Sequence, residues 1–276
     1  MGIEYLPGIE PGKKIDLEKF QKPAAPESYA PVLKERLAAM ARSINEEYKQ
    51  DFLDADGRIV VAGGESDKDK EWALSMEDRW AQEKGMDLPA WRADKEKGSG
   101  TIAEMTMTVI LNKLLNKDFI VARASDYDDY KNGIDHVLVD KNTGFVVCGF
   151  DEVVDDLQGY YSVVSKKEKM KNIVAKGGSQ IKYGATIEKE QLVRSSFENV
   201  PTFYVALSTP ELGKLLEAVK NDPEAISAEE DKVFNKLVLS LQEQASKFTR
   251  NFGLNREAKL AIHNLIAAFE RRRQSL

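Results

Sequence analysis

Cysteine is nearly absent from this chain. Cys148 is the only one among 276 residues, so an intramolecular disulfide is excluded, and the usage fits a reducing, cytoplasmic setting. Its place inside an apolar run reads as a small buried hydrophobe rather than a reactive thiol. Histidine is scarce too: only His136 and His263 are present. Without a Gly-x-Ser-x-Gly elbow, a Ser/His or Cys/His hydrolase has nothing to be built from, and both histidines read as structural. No window approaches about 18 continuous apolar residues, so no membrane span is expected. The first residues lack the apolar stretch of a signal peptide. Gly63-Gly64 has no phosphate-loop context. Positive charge is not in excess either. Lys and Arg number 40 against 46 Asp and Glu, a net charge of −6, which argues against non-specific coating of nucleic acid while leaving room for a local basic patch.

What is present suffices for a globular body. Hydrophobic residues make up 42% and charged residues 31%. Residues 1–30, with Pro7, Pro11, Pro23 and Pro26, read as an extended arm. A helical N-terminal region follows over 31–98. Its first helix, 31–53, carries Leu33, Leu37, Met40, Ala41 and Ile44 at helical spacing. Asp54-Ala55-Asp56-Gly57 reads as a plain turn, since a calcium loop built on it fails at both ends. Arg58 to Ala62 reads as a short strand. The charged stretch 65–98 holds all three tryptophans, Trp72, Trp80 and Trp91; it is a solvated helical segment with aromatic anchors or a base-stacking surface.

The central part, 99–212, starts with a largely apolar helix to about Asn116, where Thr101 and Glu104 have capping-box spacing. A strand over Phe119–Ala124 and an acidic loop over Ser125–Gly133 come next. Then Ile134–Val139 and Phe145–Val154 flank Lys141-Asn142-Thr143-Gly144, which is hairpin chemistry. A helix over Lys166–Ala175, weaker strands over Gln180–Ile187 and Gln191–Arg194, and a strong strand over Pro201–Leu207 complete it. Helices fill 213–276. The fold class is α+β, with a central mixed sheet and additional N- and C-terminal helices.

The chemistry rests on acids inside apolar runs: Asp135 on one hairpin strand, Asp151 with Glu152 on the other, and Glu104 on the preceding helix. A carboxylate buried in a strand is costly without a partner. Strands about 4.8 Å apart let carboxylates on one face share an ion, and Mg²⁺ takes one or two carboxylates plus waters. Asp151 and Glu152 alternate, so only one can join Asp135 on a face. A purely structural role for these acids is the competing reading.

The order helix with Glu104, strand, strand with Asp135, turn, strand with Asp151, helix, strand resembles the αβββαβ core of the PD-(D/E)XK nuclease superfamily, over about 104–207. That resemblance implies Mg²⁺ held by Glu104, Asp135 and Asp151. Two residues after Asp151, where the family keeps a lysine, stands Val153; after Glu152 it is Val154. The following helix offers Lys166, Lys167, Lys169 and Lys171, of which Lys169 would take the catalytic place and the others, with Gln180 and Lys182, would face substrate. The expectation is a metal-dependent nuclease acting on DNA or RNA. The alternative is a non-catalytic nucleic-acid- or protein-binding scaffold on the same fold, docking a partner through the N-terminal arm or through Leu237, Leu241, Leu260, Leu265 and Phe269 of the C-terminal helices.

Overall fold

The computed structural model describes residues 28–64, 66–155, 168, 171–221, 225–250 and 256–274. The arm over 1–27 and Lys166, Lys167 and Lys169 lie outside them. The fold is α+β.

Helix α1 (Ala30–Tyr48) has proline in its first turn and buries Leu33, Leu37, Met40, Ala41, Ile44 and Tyr48, at the three- and four-residue steps of a single stripe. Lys49 stops it in the left-handed conformation, with φ 54°. The returning chain is pinned by Asn45, whose Oδ1 accepts from the amides of Phe52 (3.0 Å) and Leu53 (2.9 Å). Asp54 Oδ1 then accepts from the amides of Asp56 and Arg58, each at 2.9 Å. That is a side-chain-closed turn, and it spends an oxygen that a calcium loop would need. The strand expected over Arg58–Ala62 is reduced to single bridges, Leu53 to Ile59 and Arg58 to Arg123.

Helices α2 (Ser66–Glu83) and α3 (Leu88–Lys97) occupy the charged stretch. Asp87 caps α3 by accepting from the Ala90 amide. Both helices have low apolar content and contribute nothing to the main core, which runs continuously from Tyr29 through the sheet to Phe269.

Helix α4 (Ser99–Leu115) buries ten residues, among them Ile102, Met105, Thr108 and Leu111. It begins at Gly98 without a side-chain cap, so Thr101 and Glu104 do not form the expected capping box. Glu104 is drawn instead to arginine. Strand β1 (Phe119–Arg123) follows. The segment expected as an acidic loop is a short helix, α5 (Asp126–Asn132). Ser125 caps it by accepting from the Asp128 amide, three acids sit in its first turn, and Gly133 closes it at φ 62°. Acids at a helix N-terminus are favoured by its dipole, which is why an apparent run of loop-forming acids is helical.

Strand β2 (His136–Asp140) pairs antiparallel with β1 and with β3 (Val146–Asp155). The expected hairpin is therefore present. Gly144 is required at its turn: φ is +76°, and a Cβ there would lie 2.6 Å from Ile187 O. Ile134 and Asp135 precede β2 rather than forming part of it. Strand β6 (Thr202–Ser208) adds parallel to β3, giving a mixed sheet in the order β1-β2-β3-β6. All residues of β1 and β2 are buried, so both faces are covered.

Strands β4 (Ser179–Glu188) and β5 (Gln191–Val200) pair only with each other in a separate two-stranded sheet. The helical residues 171–175 lead into β4. Helices α6 (Thr209–Asn221), α7 (Ala228–Thr249) and α8 (Arg256–Gln274) close the body. Ser227 and Glu230 form a complete capping box at α7. Leu237, Leu241, Leu265 and Phe269 are buried in the main core, while Leu260 is exposed. The apolar stripe of the C-terminal helices is thus used within the chain, and of the five residues expected to dock a partner only Leu260 stays on the surface. Among the described residues no helix is long and apolar enough to cross a membrane.

Candidate acidic site beneath an aromatic cleft

The buried charges converge where α4, α5 and the start of β2 meet the middle of β3. Glu104 points from α4 and accepts from Arg123 Nη2 at 2.8 Å, with Arg58 Nη2 at 3.6 Å. Arg58 also reaches Asp126 (3.4 Å), Asp129 (3.3 Å) and the carbonyl of Ala124 (3.1 Å). Burial opposes the Glu104 charge, but the two arginines outweigh it and hold its carboxyl below its usual value. Asp129 is the reverse: burial outweighs the pull of Arg58, Glu104 adds repulsion, and its carboxyl lies above the usual value.

Asp135 is the most perturbed of the set. Its carboxyl is pushed well above the ordinary range by burial and then by Glu104, Glu152, Asp129 and Asp151, in falling order. Its Oδ2 accepts from the Glu152 amide at 2.6 Å. Asp135 stands just before β2, yet its amide donates to Phe150 O at 2.7 Å and its carbonyl accepts from the Ala124 amide at 2.8 Å, so its backbone already bridges the segments on either side. Its carboxylate lies within the influence of both neighbouring acids on β3.

His136 is fully buried beside it. Its Nε2 lies 2.6 Å from Thr108 Oγ1 and 3.2 Å from Glu104 O, and its Nδ1 is 2.8 Å from Glu152 Oε1. Burial, first of all, lowers the ring to about 4, although Asp135 and Glu104 pull it upward. The ring is thus neutral at pH 7, with Nδ1 turned toward the Glu152 carboxylate.

Of the sequence-predicted residues, the fold brings Glu104 and Asp135 together. Asp151 is fully buried on β3, where its register partner on β6 is Tyr204; it acts on Asp135 less strongly than Glu152 does. Lys171 is exposed and pairs with Glu168 at 2.8 Å. Gln180 is exposed on β4. Lys182 pairs with Asp69 at 2.5 Å and lies 5.1 Å from the Tyr127 ring centroid, joining α2 to β4.

Sequence reasoning missed Arg58, Arg123 and Asp129. The available signal was Arg123 itself, the one charge in the buried strand Phe119–Arg123. It also missed Asp128, a buried carboxylate that accepts from Ser125 Oγ (2.9 Å), Asn132 Nδ2 (2.8 Å) and the amides of Lys182 (2.8 Å) and Tyr183 (2.9 Å). Four donors satisfy it and fasten the β4–β5 hairpin to α5.

An open cleft of about 690 Å³ reaches Glu104 and Asp129 of this group. Trp80, Trp91 and Tyr130 line it together with Lys84, Lys95 and Lys97, and Glu104 and Asp129 lie at its base. Trp80 and Trp91 stack at 5.9 Å, and Trp80 meets Tyr130 edge-on at 4.9 Å.

Whether the acids suit a hard cation can be judged from this geometry. Among the described residues no set of three or more His, Cys, Asp and Glu side chains is arranged as a metal cage. Mg²⁺ asks for less, one or two carboxylates with the remaining positions filled by water. Asp135 is a buried oxygen donor crowded by like charge, which a cation would offset. No protein-family model, no curated protein and no solved structure matches the chain.

Proposed function

We propose that this chain is a nuclease-like, Mg²⁺-dependent phosphodiester hydrolase with Asp135 at the centre of its cation site. The observation that carries the reading is the state of Asp135, almost fully buried and crowded by Glu104, Glu152, Asp129 and Asp151. Such a carboxyl either keeps its proton or takes a cation. The order of strands around it, three antiparallel neighbours and a parallel fourth, is compatible with the mixed sheet that the resemblance implies.

Glu104 and one β3 acid complete the donor set in this reading. The resemblance points to Asp151; the stronger influence of Glu152 on Asp135 favours Glu152. The Glu152 amide orients Asp135, and His136 fixes the Glu152 carboxylate. Arg123 and Arg58 hold Glu104 ionised. Helices α2 and α3 form one wall of the cleft through Trp80 and Trp91. A bound Mg²⁺ supplies Lewis acidity, offsetting charge that develops on phosphoryl oxygens and making water acidic enough to attack near neutral pH.

A second reading, a non-catalytic scaffold, is favoured by one specific feature: Glu104 already has both arginines as partners, so part of the acid cluster is neutralised without a metal. Cleavage assays on single- and double-stranded DNA and RNA decide between the two. The hydrolase reading expects Mg²⁺-dependent cleavage that falls by at least about 10²-fold in Asp135→Asn, the scale of losing a metal-bound or electrostatic group. No cleavage with any substrate or divalent cation, or equal cleavage by the variant, would leave the scaffold.

A further inference from the structure

We infer that the aromatic cleft is a single-strand subsite: it takes an unpaired nucleotide of DNA or RNA, with the base against Trp80 and the phosphate at Lys95. The inference deepens the hydrolase reading and rests on it for the link between cleft and acids.

The wall is built to present a flat surface. Trp91 is buried and backs Trp80 at 5.9 Å with planes 29° apart. Tyr130 packs against Trp80 in a T-shaped contact at 4.9 Å and 83°. Trp80 itself remains half-buried and faces the cleft. A rigid, partly wet indole gains most from a planar partner, and a nucleobase stacked on an aromatic ring contributes about 1–3 kcal/mol whatever its sequence.

Lys95 is held in the same space. Its ammonium donates to Tyr130 Oη at 2.8 Å. Tyr130 donates in turn to Glu77 at 2.6 Å, and Glu77 is paired with Arg92. Burial, with Asp126 and Glu77, raises the Tyr130 phenol, so it stays neutral and can accept from Lys95 while donating to Glu77. An ammonium has three donors, so the bond to Tyr130 leaves Lys95 capacity for a phosphate oxygen.

The cleft discriminates by size and by charge. About 690 Å³ is the range of small-molecule sites, the scale of one or two nucleotides, and the bases of a duplex are stacked on one another and so withheld from Trp80. The lysines are not a basic track: Glu83, Asp94, Glu104 and Asp129 line the cleft with them, and Lys84 is paired with Asp94 at 2.9 Å. Affinity therefore comes from stacking more than from counter-ion release, and its dependence on salt is shallow, close to that of a single phosphate contact.

The test measures binding by the full chain in EDTA, where cleavage does not interfere. Anisotropy of a labelled oligothymidylate is compared with a labelled duplex and with competition by a nucleoside monophosphate, for wild type and for Trp80→Leu, Trp80→Phe, Lys95→Gln and Lys95→Arg. Thermal unfolding of each variant checks that it is folded. The expected result is single-strand binding about 10-fold or more tighter than duplex, weakened about 10-fold by Trp80→Leu and Lys95→Gln and largely kept by Trp80→Phe and Lys95→Arg, the scale of one lost stack or one lost charged contact. Effective competition by the monophosphate places the whole site within one nucleotide; a need for the oligonucleotide extends it along the strand. Equal affinity for duplex, unchanged binding by folded Trp80→Leu, or no binding by wild type overturns the inference. Binding with this pattern in a protein that cleaves nothing supports the subsite and removes the hydrolase. Cleavage that is indifferent to Trp80 and Lys95 does the opposite.

Discussion

The Glu152 backbone amide donates to the Asp135 carboxylate at 2.6 Å, across the point where β2 has not yet begun. This bond fixes a carboxyl that burial and like charge hold well above the ordinary range. A raised folded value means that the proton is part of what stabilises the fold. Asp135's contribution is complete below its unfolded value near 3.8 and is lost as pH rises through the folded value. Its behaviour is thus opposite to that of a salt-bridged aspartate.

Asp135→Asn keeps an oxygen for the Glu152 amide and removes the charge. At pH 7 without divalent cations the variant should be as stable as wild type or more stable by about 1–2 kcal/mol, because it no longer buries an ionisable group among acids. Mg²⁺ at about 100 times its dissociation constant should stabilise wild type by about 2.7 kcal/mol and the variant by far less. Thermal unfolding with and without Mg²⁺ measures both; an identical Mg²⁺ effect on the two proteins removes Asp135 from any cation site.

Arg123→Met should be strongly destabilising, by about 3–5 kcal/mol, because it leaves the buried Glu104 carboxylate with only the longer contact to Arg58. Combining it with Glu104→Gln should recover part of that loss. Denaturant unfolding of the four proteins of the cycle gives the coupling, expected at about 0.5–3 kcal/mol. Strict additivity would show that the ion pair is incidental.

Asp128→Ala removes the acceptor for four donors, two of them backbone amides of β4. A loss of about 3 kcal/mol or more is expected, since buried donors without acceptors are costly. Hydrogen exchange locates it: the Lys182 and Tyr183 amides should lose protection before those of the β1–β2–β3 sheet. Uniform loss across both sheets would mean that the hairpin is not fastened by this residue.

His136 carries the opposite sign from Asp135. Its folded value, lowered to about 4 mainly by burial, makes its contribution present above the unfolded value near 6.5 and lost as pH falls toward the folded one. The fall from 6.5 to about 4 is worth about 3 kcal/mol. In His136→Gln the decline in unfolding free energy between pH 6.5 and 4.5 should be shallower than in wild type. Parallel pH profiles would remove the neutral buried histidine as its source.

Much of the framework was legible from local pattern. The stripe of Leu33, Leu37, Met40, Ala41 and Ile44 marks α1 because a helix repeats every 3.6 residues, and the Asn142–Gly144 turn marks the β2–β3 hairpin because its backbone needs a positive φ. Segment 125–133 was misread because acids count as loop formers until their position in a first helical turn, beside the Ser125 cap, is known. That β4 and β5 form a separate sheet was not legible, because strand propensity carries no information about which sheet a strand joins. At the site, Glu104 and Asp135 could be singled out as charges inside apolar runs. Arg58 and Asp129 could not, since nothing local distinguishes them from solvated surface residues.

What the sequence by itself determined is most of the longer elements and the presence of acids within buried segments, because propensity, periodicity and hydrophobicity act over a few residues. Only the tertiary structure decided how those acids are answered. Arg58 comes from a turn after α1, Arg123 from the end of β1 and Asp129 from α5, and they meet Glu104 through packing between segments far apart in the chain. The same packing brings the Asp135 carboxylate against the Glu152 amide. Electrostatic partnership falls off with distance in space, which separation along the chain does not measure, and the chemistry of this site was settled at that level.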